Sequence, residues 1–341
     1  MKIKVLSLAI VLALGGAQVL TAQTRSRNAP ASPRSTTTTP QTALLNLLPE
    51  SDAVAQVKLR QLLNESLPQI FANNPARLTE INASIESFKT RTGLDPRMFD
   101  QVALGARFTF PAEGVTNAQT VALANGSFNP AAMVAAGRIA ASGNYREEKY
   151  QGRTIYIFKL DQDMRLLGFF DFHINELAAT PLNASVLALG DEAAVRAAID
   201  AGAGRARTNA DLIALASRDP NAVIGFGANL SEQLIKNLDV NPAIAEDLTT
   251  LRQAYGSVST TQKDLQLFLA ARAVSADAAK SLGTTLEGLK QLGSLFVARM
   301  SGAKGVLAKS ALANLQIVTA ANELQIRTAV PQADVGPLMG H

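Results

Sequence analysis

The 341-residue sequence contains no cysteine and no tryptophan, and only two histidines. The absence of cysteine excludes disulfide bonds, thiol catalysis, thiolate metal sites and lipid attachment through an N-terminal cysteine. Aromatic residues make up 5% of the chain, which argues against binding single-stranded nucleic acid or sugars by ring stacking. Beyond the N-terminus, no stretch approaches the roughly 18 consecutive apolar residues that a membrane-spanning helix needs.

Net positive charge is also absent from most of the chain, although the isoelectric point is 9.4. Residues 1–40 hold five of the 32 basic residues and no acid, which leaves 27 basic residues against all 28 acidic ones. Nucleic-acid binding requires clustered positive charge on the folded surface. We therefore expect no nucleic-acid partner.

The first 22 residues have the layout of a secretory signal peptide. Two lysines precede the apolar run Val5–Leu14, and small residues follow it. We expect cleavage after Ala22, with cleavage after Ala17 as the alternative. Residues 23–41 are rich in Ser, Thr, Pro and Arg, which predicts a disordered linker. The protein is thus expected to be exported, to the periplasm or the extracellular space, and to be soluble after signal cleavage.

From residue 42 onward, alternating apolar strands and helical patterns predict an α+β fold. The order β-α-β-β-α-β-β can be traced over residues 42–218 and again over residues 219–338, which indicates a diverged duplication. We expect largely antiparallel sheets covered by helices, with the same strand order in both units. Strands 53–59 and 222–228 are expected to occupy equivalent places. The groove between the units is the natural place for a ligand or partner.

The best local match between the two units pairs residues 121–137 with residues 267–283. Each is an apolar strand followed by a helix, for which Asn129 and Ser275 are the expected N-caps. The match is carried by this pattern more than by identical residues.

The segment Thr92–Gly105 concentrates glycine, proline and charge, yet its pattern indicates a connector. Gly93 is expected to cap the preceding helix in the left-handed conformation, and Asp95-Pro96 to start a turn. Met98 and Phe99 are expected to reach the core. Each conspicuous residue has a structural use, which favours a connector over a catalytic site.

Four stretches resemble a group of uncharacterised exported bacterial proteins: LLPESDAVAQVKL, TGLDPRMFDQVALG, VALANGSFNPAAM and VLALGDEAAVRAAID. The similarity covers most of residues 43–330. Many members carry an acid near position 58, where this chain has Lys58. The resemblance implies an exported α+β fold without an established activity, so it assigns no catalytic residue.

Asp171, His173 and Glu176 are the candidates for chemistry. On a strand, Asp171 and His173 share one face, and an Asp-His pair beside Glu176 is suited to orient a general base or bind a metal. A zinc site usually needs three or four ligands, and the other histidine is the final residue, His341. Strand alternation favours a solvent-facing polar pair, so we expect no metal and no cofactor.

Three other patterns lack the spacing that their chemistry requires. Asp161-Gln-Asp163 begins like a calcium loop without the later ligands, and is expected to be a turn. Residues 302–310 carry the glycines and lysine of a phosphate loop at the wrong positions. Gly202-Ala-Gly204 follows a predicted helix, whereas a dinucleotide fingerprint follows a strand.

These observations favour a non-enzymatic exported protein that acts by binding or as a scaffold. Its expected partner is an unknown protein or a small apolar ligand, the latter carried in a cavity between sheet and helices. The alternative is a carboxylate-dependent hydrolase outside the cytoplasm. That activity requires two converging carboxylates, one of them with a raised pKa.

The mature protein should begin at Gln23. Ala22 supplies the small residue at the cleavage position, and the linker starts directly after it. N-terminal sequencing of the exported protein tests this expectation, and an intact Met1 contradicts it.

Overall fold

The computed structural model describes residues 40–92, 95–166, 170–237 and 242–335. Within these ranges, the side chains of residues 40–41, 91–92, 140, 161–166, 170–174 and 242–245 are not described. The expected signal peptide, the linker up to residue 39 and the expected helix cap Gly93 lie outside the described residues.

Strands and helices follow each other in mixed order along the described residues. The strands are β1 Ala53–Val57, β2 Phe99–Ala112, β3 Val115–Gly126, β4 Tyr145–Tyr150, β5 Arg153–Leu166, β6 Phe170–Pro181, β7 Val186–Gly190, β8 Ile224–Asn229, β9 Leu251–Thr260, β10 Asp264–Ala273, β11 Gln316–Ala320 and β12 Glu323–Pro331. The helices are α1 Pro40–Ala43, α2 Leu59–Gln61, α3 Leu67–Ile70, α4 Pro75–Thr92, α5 Pro130–Ala140, α6 Glu192–Gly202, α7 Ala210–Ala216, α8 Glu232–Lys236, α9 Pro242–Thr249, α10 Ala276–Arg299, α11 Gly302–Ala313 and α12 Gln332–Val335. Short 3₁₀ turns lie at Leu45–Leu47 and Pro96–Met98, and a π-helical turn at Leu62–Ser66.

The twelve described strands form one antiparallel sheet. Their order is β11-β12-β10-β9-β8-β1-β2-β3-β7-β6-β5-β4. Residues 42–218 and 219–338 therefore contribute to the same sheet, which meets at the pair β1–β8. That pair runs in register from Ala53 opposite Ala228 to Val57 opposite Ile224.

Outward from the central pair, the strands of the two halves follow comparable orders. From β1 the order is β2-β3-β7-β6, and from β8 it is β9-β10-β12-β11. Helix α5 follows β3, as α10 follows β10. The halves differ in one respect: residues 42–218 have four strands after α5, because the hairpin β4–β5 adds two at the sheet edge.

Helices lie on both faces of the sheet. On the first face, α6 and α7 bury the main core, in which Val195, Ile199 and Leu212 pack with Val54 and Leu123. On the second face, α10 packs on β10, β11 and β12, and α11 packs on β12. On the other side of that face, α5 packs on β6 and α4 on β5.

Helix α7 lies very close to the central strands. A Cβ atom at Gly225 would be 2.1 Å from the backbone oxygen of Ala216. The side-chain amide of Gln56 donates a hydrogen bond to the same oxygen, at 3.3 Å. Glycine is needed here because any side chain would push the helix away from β8.

The connector interpretation of Thr92–Gly105 agrees with the described part of that segment. Asp95 accepts a hydrogen bond from the backbone N–H of Arg97 at 3.1 Å, and Pro96 begins the 3₁₀ turn. Phe99 is buried as expected, but the expectation for Met98 is wrong, because its side chain is 40% exposed. Successive residues entering a strand point to opposite sides, so only one of the two can face the core.

Local turn and cap signals gave correct predictions in several places, with one clear exception. Asn129 accepts hydrogen bonds from the N–H groups of Ala131 and Ala132, and Ser275 accepts one from that of Ala278. The turn expected at Asp161-Gln-Asp163 is wrong, because these residues continue β5. A register shift between Lys159 and Gln162 lets the strand continue its pairing with β6.

Replacing Gly225 with alanine should destabilise the fold by about 2 kcal/mol, because the added methyl group forces α7 away from the sheet. Gly288→Ala is the matched control. A Cβ atom at Gly288 meets nothing within 4 Å, and alanine in a helix gains about 0.5–1 kcal/mol over glycine. Urea unfolding measures both changes, and equal stabilities of the two variants would contradict the close approach.

Candidate functional site

Over three rows, the second face of β2, β1, β8, β9 and β10 carries only apolar residues and one glycine. Side chains alternate along a strand, so strand pairing identifies the residues that share a face. One row across β2, β1, β8, β9 and β10 consists of Leu104, Ala55, Phe226, Gly256 and Leu269. The rows on either side are Val102, Val57, Ile224, Val258 and Leu267, and Ala106, Ala53, Ala228, Ala254 and Ala271. We call these fifteen residues the apolar sheet surface.

The apolar sheet surface is not buried as a core would be. Thirteen of its residues are half-buried, Gly256 is buried, and Leu104 near one side is 41% exposed. On the first face of the same strands, Val54 and Ala103 are buried beneath helices. Strands that are apolar on both faces normally lie between two helix layers. Here most helices of the second face pack to either side, on β10–β12 and on β5–β6, while α2 packs on β2 at one end of the surface, where Leu59 and Phe88 join the cluster that includes Val102.

Small residues make one side of this surface shallow. Seven of the fifteen positions are alanine or glycine. At Gly256, a Cβ atom would be 2.8 Å from the ring of Phe226, so the absence of a side chain gives that ring its place. Phe226 is the only aromatic residue of the surface. The result is a strip of alanines with larger side chains along one side of it.

The apolar sheet surface can bind another molecule only through van der Waals contact and desolvation. None of its fifteen side chains titrates or donates a hydrogen bond. Such a surface gains free energy by removing apolar groups from water, about 25 cal/mol for each Å². It is suited to hold an apolar chain and unsuited to acid–base or nucleophilic catalysis.

A polar cluster lies on the first face of β9, β10 and β12, around the fully buried Tyr255. Arg218 donates a hydrogen bond to the Tyr255 hydroxyl. The guanidinium groups of Arg218 and Arg272 lie 5.1 and 5.7 Å from the ring centre. Glu323 forms ion pairs with these arginines at 3.4 and 3.6 Å. The cluster joins the end of α7 to three strands.

Burial and hydrogen bonding set the ionisation of this cluster. Burial raises the pKa of Tyr255, and its hydrogen bond with Glu323 raises the pKa further. Burial also acts to raise the pKa of Glu323, but hydrogen bonds from Tyr255 and Gln325 and the charge of Arg218 outweigh it. The net effect lowers the Glu323 pKa. At neutral pH the tyrosine is therefore neutral and the carboxylate charged, an arrangement that stabilises the fold.

The sequence-predicted site residues are only partly described. The backbones of Asp171 and His173 lie on β6, opposite Arg165 and Asp163 of β5, and their side chains are outside the described residues. Glu176 is exposed and forms an ion pair with Arg146 at 3.3 Å. Within the described ranges, no three or more histidine or carboxylate side chains are grouped so as to hold a metal.

The hydrolase alternative requires a carboxyl group whose pKa is raised. Asp95, Glu192 and Glu323 have clearly shifted pKa values, and all three are lowered. For Asp95, burial opposes the shift but hydrogen bonds from Lys89 and Arg97 outweigh it. For Glu192, the hydrogen bond from Arg146 is the largest cause. Each of these three carboxylates forms an ion pair with a basic side chain, which favours its charged form, as is usual for carboxylates with a structural role.

No family model and no curated protein matches the chain. Among solved structures, it is similar to crystal form III of TP0453, with 10% identity and a TM-score of 0.45 over 86% of this chain and 95% of that chain. Crystal forms I and IV of TP0453 give 9% and 10% identity and TM-scores of 0.44 and 0.46, each over 87% of this chain and 96% of that chain. Likeness at this level carries no information about ligands or partners.

In the part of the chain that the structure describes, no helix combines the length and the apolar character needed to cross a bilayer.

Glu323→Gln should lower stability at neutral pH and reduce the loss of stability in acid. A carboxyl group with a lowered pKa in the folded state stabilises the protein above its unfolded pKa of about 4.3, and this contribution disappears as the pH falls through the folded value. Glu113→Gln, in the exposed β2–β3 turn, is the control. Urea unfolding between neutral and acidic pH provides the measurement, and parallel pH profiles for wild type and Glu323→Gln would contradict the assignment.

Proposed function

We propose that this protein is an exported, non-enzymatic binding protein that holds an apolar chain, such as the acyl chain of a lipid, on its apolar sheet surface. The observation that carries the proposal is the apolar sheet surface itself, fifteen residues without a polar side chain, of which thirteen are only half-buried. Soluble proteins rarely leave large contiguous apolar areas in water unless they bind something there. The N-terminal sequence pattern supports export.

The expected affinity follows from the size of the ligand. Each methylene removed from water contributes about 0.8 kcal/mol, so roughly fourteen methylenes contribute about 11 kcal/mol. Immobilising the ligand costs at least about 4 kcal/mol. The difference of about 7 kcal/mol corresponds to a dissociation constant of roughly 10 µM. Micromolar affinity suits a carrier that must also release its ligand.

We also infer that residues 42–218 and 219–338 are diverged repeats of one unit. The comparable strand orders outward from β1 and β8 support this inference, as do the N-capped helices that follow β3 and β10. The apolar sheet surface then lies at the junction of the repeats, since β1 and β8 form its middle. This is the place where the sequence pattern predicts a ligand or partner.

A scaffold function, in which the same surface binds another protein, is the second candidate. It is favoured by the breadth of the surface, which spans five strands at about 4.8 Å each. The hydrolase alternative has no corresponding support, because the carboxyl groups with shifted pKa values are paired with cations.

Binding of a dansyl-labelled fatty acid tests the carrier function. The wild-type mature chain should bind it saturably, with enhanced dansyl fluorescence. Leu104→Glu should weaken binding at least about ten-fold, because the ligand would have to desolvate a carboxylate. Val115→Glu is the matched control, since Val115 has similar exposure, 43%, but lies at the far end of the same hairpin.

Thermal unfolding of both variants verifies that they remain folded. Absence of saturable binding by the wild type would refute the proposal. Equal affinities for Leu104→Glu and Val115→Glu would place the ligand elsewhere on the protein.

A further inference from the structure

Helix α10 has an unusual distribution of polarity. Its first half is oriented conventionally, with Ala279, Leu282 and Leu286 packed towards the sheet. In its second half, the one buried side chain is Lys290, which forms an ion pair with Glu287 at 3.3 Å. Three large apolar residues of that half, Leu292, Leu295 and Phe296, are instead exposed to solvent.

The exposed apolar residues form a stripe along the second half of α10. Leu292, Leu295 and Phe296 are 59%, 65% and 72% exposed. Residues three and four positions apart lie on the same side of a helix, so these three are neighbours. Arg299, one turn further, continues the stripe at the end of the helix and is exposed. A phenylalanine this exposed is uncommon on a protein surface unless it contacts something else.

The same region has charge of one sign. Between Gly288 and Ala313 there are four basic residues and no acid. Lys290 is paired with Glu287, whereas Arg299, Lys304 and Lys309 are exposed and form no ion pair with any other residue that the structure describes. We call residues 288–309 the hairpin tip.

A tight turn fixes the two helices of the hairpin tip against each other. Gly302 has a φ of 70°, in the left-handed region that favours glycine. A Cβ atom at Gly305 would be 2.4 Å from the backbone oxygen of Met300, so a side chain there would open the turn. Lys304, two residues after Gly302, is thereby kept near the end of α10.

We propose that the hairpin tip docks the protein on an anionic lipid membrane. Leu292, Leu295 and Phe296 enter the boundary between headgroups and acyl chains, and Arg299, Lys304 and Lys309 contact the anionic headgroups. Interfacial helices combine these two features, a stripe of leucine and phenylalanine and an excess of lysine and arginine. The proposal goes beyond the acyl-chain function and does not rest on it.

Charge decides between a membrane and a second copy of the chain. A two-fold dimer through the hairpin tip would bring two sets of uncompensated cations together, which is unfavourable. An anionic lipid surface neutralises the same cations. An anionic lipid surface is therefore a more favourable partner for the hairpin tip than a second copy of the chain.

Co-sedimentation of the mature chain with lipid vesicles tests the proposal. The protein should bind vesicles of phosphatidylcholine mixed with phosphatidylglycerol, bind phosphatidylcholine alone much more weakly, and dissociate as salt is raised. Phe296→Ser combined with Leu295→Ser should reduce binding at least ten-fold. Val318→Ser, at a half-exposed apolar residue of β11, is the matched control and should bind like the wild type. Lys304→Gln combined with Lys309→Gln should reduce binding to the anionic vesicles only.

The outcomes separate this proposal from the acyl-chain function. The Leu295/Phe296 variant should still bind the dansyl-labelled fatty acid, and Leu104→Glu should still bind vesicles. Failure of the wild type to sediment with anionic vesicles would overturn membrane docking. Unchanged sedimentation of the Leu295/Phe296 variant would overturn it as well. A dimer seen in sedimentation equilibrium that the same variant abolishes would assign the hairpin tip to self-association instead.

Discussion

The antiparallel pairing of β1 with β8 is the constraint on which the rest of the structure depends. It joins two half-sheets into one sheet of twelve described strands and sets which residues of both halves share a face. On one face, Gly225 and Gly227 allow α7 to pack tightly over the junction. The helices of the other face pack mainly to the sides. The two faces at this junction therefore differ: one is buried beneath helices and the other is half-buried.

Features with local causes could be predicted from the sequence. Asn129 and Ser275 cap helices because their side chains reach N–H groups two or three residues ahead. The β4–β5 hairpin turns at Gln151-Gly152, both with positive φ, a conformation that glycine adopts without strain. Such local reasoning fails at Met98 and at Asp161–Asp163. Side-chain alternation at the start of β2 leaves Met98 exposed. A bulge in β5 opposite β6 keeps Asp161–Asp163 within the strand.

The apolar sheet surface could not be predicted in the same way. Its rows assemble residues from five strands in both halves, so their proximity depends on strand order, which no local pattern encodes. A weaker indication was present: β1 and β8 are apolar at nearly every position, as in strands with two apolar faces. The single polar exception in β1, Gln56, is buried and bonded to α7. Asp171, His173 and Glu176 are recognisable as candidates by residue type alone, whereas the apolar sheet surface consists mostly of alanines, valines and leucines.

The central pair also has a consequence for how the chain acquires its structure. Ala53 pairs with Ala228, 175 residues later, so β1 has no partner on that side until nearly two-thirds of the sequence is present. Closing a loop of this length costs conformational entropy before any stabilising contact forms, and contacts distant in sequence make folding slow. Until closure, each half-sheet leaves an unpaired strand at its inner edge, open to pairing with another chain. In the order of synthesis, the middle of the sheet therefore stays open until β8 is made, after all the strands of the first half.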